Sequence, residues 1–167
     1  MNNGKKVEPT IIVIFGGTGD LAERKLVPAF YNLFLDNRMP GKFAIIGLGR
    51  TPLKHEDYRN RLKDGLNEFS RRGAPEDDQW EKFNQSVFYL QSNINDEASY
   101  QHLAEELACL DLQWDKRANR LFYLSVAPQF IETVALNLNK AGVARNPATD
   151  RIIVEKPFGY KRNQRLS

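Results

Sequence analysis

The stretch Ile11-Ile12-Val13-Ile14-Phe15-Gly16-Gly17-Thr18-Gly19-Asp20-Leu21-Ala22 decides the fold. It opens on an unbroken apolar run, the composition of a strand buried on both faces in the middle of a parallel sheet. A glycine-rich turn comes next, and helical periodicity takes over beyond it. Strand, glycine turn and helix in direct succession form the context in which the pyrophosphate of a dinucleotide is held. Gly16 suits the tight turn, and Gly19 lets the backbone approach a pyrophosphate closely. Ala22 is small enough for the helix to pack against the strand. The anion would lie on the amino end of that helix, where unpaired backbone donors and the dipole favour negative charge.

Outward from this segment, short β-branched or aromatic runs alternate with longer helical stretches. Strands are expected over residues 10–15, 43–47, 87–91, 120–125 and 151–155. Between the first two, Leu26, Ala29, Phe30, Leu33 and Phe34 have the spacing of a single buried helix face, and Pro28 is expected to kink or divide that helix. Tyr58, Leu62, Leu66 and Phe69 mark a second helix, closed by Arg71-Arg72-Gly73 with Pro75 just beyond. Trp80 and Phe83 mark a short third. Asn95 or Asp96 caps a fourth with Leu103, Leu107 and Leu110 on one face, and a fifth carries Ile131, Val134, Ala135 and Leu138. Regular alternation of strand and helix, joined by right-handed crossovers, gives an α/β fold: a Rossmann-type doubly wound parallel sheet with helices on both faces.

Length and charge narrow the rest. The 167 residues suffice for one compact domain but not comfortably for two. The 24 basic residues are nearly balanced by 21 acidic ones, which speaks for an ordinary solvated surface and against nucleic-acid binding. The single cysteine, Cys109, is expected as a small buried side chain in a helix, and builds neither a disulfide framework nor a zinc site. No metal site is expected. The polar start and the short first apolar run do not read as a signal peptide or membrane span, so a cytoplasmic home is expected. Residues 160–167 are polar and basic without periodicity and read as an exposed tail.

The end of the second strand reads Ile45-Ile46-Gly47-Leu48-Gly49-Arg50-Thr51. An NAD site usually places a carboxylate here to accept the ribose hydroxyls, whereas this chain offers Arg50, which favours the 2′-phosphate of NADP. The preference expected from such a charge-assisted hydrogen bond is about ten- to a hundredfold.

The run Gly16-Gly17-Thr18-Gly19-Asp20-Leu21-Ala22-Glu23-Arg24-Lys25-Leu26-Val27-Pro28-Ala29 resembles the coenzyme-binding signature of the glucose-6-phosphate dehydrogenases, G-x-x-G-D-L-A-x-R-K-L-x-P-A. Arg151-Ile152-Ile153-Val154-Glu155-Lys156-Pro157-Phe158-Gly159 resembles the same family's R-x-x-x-E-K-P-F-G segment. The resemblance covers residues 10–159, about the amino-terminal third of a family member. It implies that Gly16, Gly17, Thr18, Gly19, Asp20, Leu21, Ala22 and Glu23 bind the cofactor phosphates, that Arg50 binds the 2′-phosphate, and that Tyr123 lies beside the nicotinamide end. Lys156 would contact both nicotinamide and sugar phosphate, with Pro157 shaping that junction. Its place at the carboxyl end of the fifth strand, the edge of a doubly wound sheet where ligands collect, agrees with that role. The activity implied is oxidation of C1 of glucose 6-phosphate in the pentose phosphate pathway: a histidine takes the hydroxyl proton while hydride passes to the nicotinamide. Full-length members are homo-oligomers, and apolar surface on this chain is expected to favour self-association.

Departures from the family pattern matter equally. After Gly159 the family continues with an acidic residue, a long helix, an R-x-D-H-Y-L-G-K segment that grips the sugar phosphate and, later, the histidine base. Here the chain reads Tyr160-Lys161-Arg162-Asn163-Gln164-Arg165-Leu166-Ser167. Residues 1–159 are therefore expected as the NADP-binding domain, without the substrate and dimerisation domain and without a catalytic residue. His55 and His102 fall in predicted helices and read as solvated surface histidines. The competing readings are a cofactor-binding fragment that is catalytically inactive and an extended short-chain reductase. The latter needs a Tyr-x-x-x-Lys pair, and no tyrosine of this chain has a lysine four residues on.

Overall fold

The computed structural model describes residues 8–69, apart from the Phe69 side chain, and residues 75–154. Five strands pair in parallel: β1 (Thr10–Phe15), β2 (Phe43–Gly49), β3 (Val87–Gln91), β4 (Asn119–Leu124) and β5 (Asp150–Val154), in the order β3-β2-β1-β4-β5. This is the Rossmann order expected from the sequence. β1 is central, every one of its residues buried, with Thr10 opposite Phe43 on one side and Asn119 on the other. The helices are α1 (Val27–Leu35), α2 (His55–Phe69), α3 (Asp77–Asn84), α4 (Glu97–Gln113) and α5 (Ile131–Lys140).

Alternation along β1 divides the core into two layers. Ile12 and Ile14 meet Phe30, Tyr31, Tyr58, Leu62, Trp80 and Phe83 from α1, α2 and α3. Ile11, Val13 and Phe15 meet Tyr100, Leu103, Leu107, Val134 and Leu138 from α4 and α5. Each large apolar side chain removed from water contributes about 1.5–3 kcal/mol, so both layers are needed to offset the entropy of ordering the chain. Asp96 caps α4, its carboxylate accepting from the Ala98 amide at 3.0 Å.

Pro28 divides its helix. A wide π turn occupies Ala22–Leu26, and α1 starts at Val27 with the proline in its first turn, where its missing donor costs little. Val27, Phe30 and Tyr31 turn inward, whereas Ala29 and Leu33, expected on the buried face, are exposed. A second correction concerns Cys109, which is exposed on α4 and not buried.

β5 is tied down at its first residue. The buried Asp150 carboxylate takes two bonds of 2.9 Å from Arg117, one of 3.1 Å from the Thr149 hydroxyl and one of 3.1 Å each from the Arg145 and Asn146 amides. Burial works against its ionisation, but the bonds from Arg117, the Asn146 amide and Thr149 outweigh it and hold the carboxyl below its ordinary value of 3.8. Asp150→Asn is expected to cost about 1.5–3 kcal/mol near neutral pH, read as a lower urea midpoint. Because the folded pKa is depressed, this stabilisation is complete above the ordinary carboxyl pKa and is lost as the pH falls through the folded value. The gap between wild type and variant should therefore close on acidification below 3.8, and a gap that stays constant would refute the assignment.

The outer edge of β3 is closed by side chains of α2. Arg59 Nε donates to the Val87 carbonyl at 2.7 Å, and the Tyr89 amide donates to His55 Nδ1 at 3.0 Å. β5, at the opposite edge, leaves Ile152 and Val154 exposed.

Candidate dinucleotide site

A cleft of about 360 Å³ opens at the carboxyl ends of β1, β2 and β4, where the strand order reverses direction from β1. Gly16, Thr18 and Gly19 form one wall, Gly49, Arg50 and Thr51 a second, and Val126, Ala127 and Phe130 a third. Ser92 and Ile94 close the far end. Open parallel sheets collect ligands at this switch point.

The turn after β1 is held by backbone bonds. The Gly16 and Gly17 amides both donate to the Leu48 carbonyl, at 3.1 and 2.8 Å, and the Gly19 amide donates to the Gly16 carbonyl at 3.0 Å. Gly16 has φ +83°, and an added Cβ would overlap the Ser125 carbonyl, so this position requires glycine on both counts. At Gly17 a Cβ would lie 2.8 Å from Gly47 Cα, which leaves no room for a side chain between the turn and β2. Gly19 differs. A Cβ there would meet only the Gly16 carbonyl, at 3.3 Å, and the residue is otherwise open. Open space above a turn that leads into a helix is the shape that a pyrophosphate requires.

The sequence-predicted residues separate into groups. Gly16, Thr18, Gly19 and Arg50 share the cleft, with Arg50 exposed at its rim. Gly17 is buried beneath the turn, Asp20 is exposed beside it, Leu21 packs on the first core layer, and Ala22 is wholly buried within that layer. The Glu23 carboxylate accepts from Arg61 Nε at 2.6 Å and faces α2, not the cleft. Tyr123 packs edge-on against Phe30 with ring centroids 5.6 Å apart. Lys156 and Pro157 lie outside the described residues.

The histidines stand apart from the cleft. Both line a larger cavity of about 550 Å³ beside β3, with Phe88, Leu90, Glu106 and Cys109. His102 is exposed, 3.8 Å from the Glu106 carboxylate. His55 is more than a solvated residue: its ring meets Phe88 edge-on at 5.6 Å, and its Nδ1 accepts the Tyr89 amide. Burial and the neighbouring Arg59 lower its pKa against an opposing pull from Glu106, in keeping with a neutral acceptor ring.

Sequence reasoning missed Thr51, Ser92, Val126, Ala127 and Phe130. For Thr51, Val126 and Ala127 the usable signal was topological, since the residues just past β2 and β4, the two strands beside β1, border the same switch point. Among the described residues no helix is long and apolar enough to cross a membrane, and no group of three or more His, Cys, Asp or Glu could hold a metal ion.

A parallel sheet in this order, with a glycine turn at its switch point and an arginine on the facing loop, defines a Rossmann-type nucleotide-binding unit. The model of the glucose-6-phosphate dehydrogenase NAD-binding domain matches residues 13–165, and the chain belongs to that family. It is 36% identical over 157 residues to the glucose-6-phosphate 1-dehydrogenase of Chlamydia muridarum, covering 90% of this chain and 31% of that protein. Against the enzyme of Leuconostoc mesenteroides it is 36% identical over 150 residues, covering 90% of this chain and 30% of that one. A solved structure of glucose-6-phosphate dehydrogenase in complex with glucose 6-phosphate superposes with a TM-score of 0.80 at 30% identity, over 93% of this chain and 32% of that one. The chain thus spans about a third of the length of these relatives.

Proposed function

We propose that this chain binds NADP in preference to NAD, as the coenzyme-binding part of an enzyme that oxidises C1 of glucose 6-phosphate in the cytoplasmic pentose phosphate pathway. The observation that carries the reading is the position of Arg50, which lines the same cleft as Gly16, Thr18 and Gly19. A dinucleotide laid across the turn would bring its adenosine ribose toward the end of β2, where a guanidinium meets a 2′-phosphate. Bound there, the nicotinamide supplies a hydride acceptor. The chain's own share is to seat the pyrophosphate over residues 16–19, read the 2′-phosphate with Arg50 and, in the family reading, place Lys156 between the nicotinamide and the sugar phosphate. Residues 1–159 form the binding unit in this reading.

Titration calorimetry of NADP and NAD into the wild type and Arg50→Ala is the test. NADP should bind about ten- to a hundredfold more tightly than NAD to the wild type, and that margin should collapse in the variant with little change for NAD. Equal affinities in the wild type would overturn the assignment of Arg50.

A further inference from the structure

Two buried phenols lie under the cleft, and each reaches one of its loops. Tyr58 Oη donates to the Gly17 carbonyl at 2.9 Å, in the phosphate turn. Tyr89 Oη donates to the Thr51 carbonyl at 2.5 Å, on the loop that carries Arg50. The rings touch, with centroids 4.9 Å apart, and both residues are almost wholly buried.

The loop over residues 49–51 is gripped along its length from the end of β3. The Gly49 carbonyl accepts from the Ser92 amide at 2.7 Å, the Arg50 carbonyl from Gln91 Nε2 at 3.1 Å, and the Thr51 carbonyl from Tyr89. Three consecutive carbonyls are therefore held, while the Arg50 side chain stays exposed at the cleft. The glycines of β2 fit the same arrangement. A Cβ on Gly47 would overlap the Tyr58 hydroxyl, and one on Gly49 would lie 2.7 Å from the Tyr89 hydroxyl. Burial raises the pKa of both phenols, most strongly for Tyr58, where Glu23 adds to the effect, so both remain protonated donors over the working pH range.

We propose that Tyr89 is a positioning residue for NADP recognition, holding the loop over residues 49–51 with Gln91 so that Arg50 is aimed at the 2′-phosphate, while Tyr58 holds the phosphate turn. This rests on the role assigned to Arg50 above. A pinned loop loses less conformational freedom when its arginine engages the phosphate, which is the general source of affinity from preorganisation. Packing alone does not call for the hydroxyls, because phenylalanine would fill the same space.

The test compares NADP with NAD by calorimetry in the wild type, Tyr89→Phe, Gln91→Ala and Tyr58→Phe, with melting temperatures as the control for folding. Tyr89→Phe and Gln91→Ala should each weaken NADP about 3–10-fold and shrink the NADP-to-NAD ratio by that factor. Tyr58→Phe should weaken both cofactors alike. A wild type that prefers NADP, with the ratio unchanged in Tyr89→Phe and Gln91→Ala, overturns the positioning role and leaves Arg50 standing. A wild type without preference overturns the Arg50 reading and this inference together. Should Tyr89→Phe fail to fold, Gln91→Ala, whose side chain is exposed, decides the matter on the same loop.

Discussion

Given saturating NADP and glucose 6-phosphate, the 167-residue polypeptide is expected to form no NADPH above background, even where calorimetry shows that it binds NADP. Hydride transfer requires the sugar to be held against the nicotinamide in a near-attack geometry, and such positioning supplies roughly 7–11 kcal/mol of barrier reduction in favourable cases. Of the sugar-gripping groups implied by the family resemblance, only Lys156 is present. A positioned base contributes a further factor of about 10²–10⁴, and both histidines of the chain line the cavity beside β3 and not the cleft. Loss of both contributions carries turnover below detection. The assay is NADPH formation, followed by its absorbance, with a full-length family member as control. Activity that co-purifies with the polypeptide and disappears in Lys156→Ala would show that the catalytic groups have been misplaced.

Gly19→Val is expected to abolish binding of either dinucleotide while the fold survives. The added side chain would project into the open space above the turn, where the pyrophosphate must come close to the backbone. The protein itself offers little resistance, because a Cβ at this position meets only the Gly16 carbonyl, at 3.3 Å. Gly16→Val makes the informative contrast. There a side chain demands φ +83° and collides with the Ser125 carbonyl, so folding should suffer before binding can be measured. Circular dichroism separates the two outcomes, and calorimetry reads the first. A folded Gly19→Val that still bound NADP normally would remove the phosphate from the turn.

The fold was largely legible in the sequence because its signals are local and redundant. The apolar run of β1, the glycines behind it, the cap of α4 and the faces of α4 and α5 each agree with the parallel sheet on their own. What misled was phase. The face read over residues 26–34 places Ala29 and Leu33 inside, whereas α1 buries Val27, Phe30 and Tyr31 and leaves those two at the surface. Cys109 was misjudged because a small apolar side chain fits a buried or an exposed helical position equally well. For the site, the turn and Arg50 could be read, since both are consecutive with a strand end. Tyr58, Tyr89 and Gln91 could not, because their partners lie 41, 38 and 41 residues away and are backbone carbonyls that carry no sequence signal. Tyr123 and Glu23 came from family resemblance alone; they meet Phe30 and Arg61, neither of which periodicity or spacing points to.

Closure of the β3 margin by Arg59 and His55 guards that edge of the sheet against growth. A strand approaching from that side finds the Val87 carbonyl and the Tyr89 amide already spoken for, and it would have to evict a guanidinium and an imidazole to pair. At the β5 side, among the described residues, Ile152 and Val154 present apolar surface. A fusion partner, crystallisation tag or crosslinker intended to leave assembly undisturbed therefore belongs near α2. One placed against β5 would meet the exposed Ile152 and Val154.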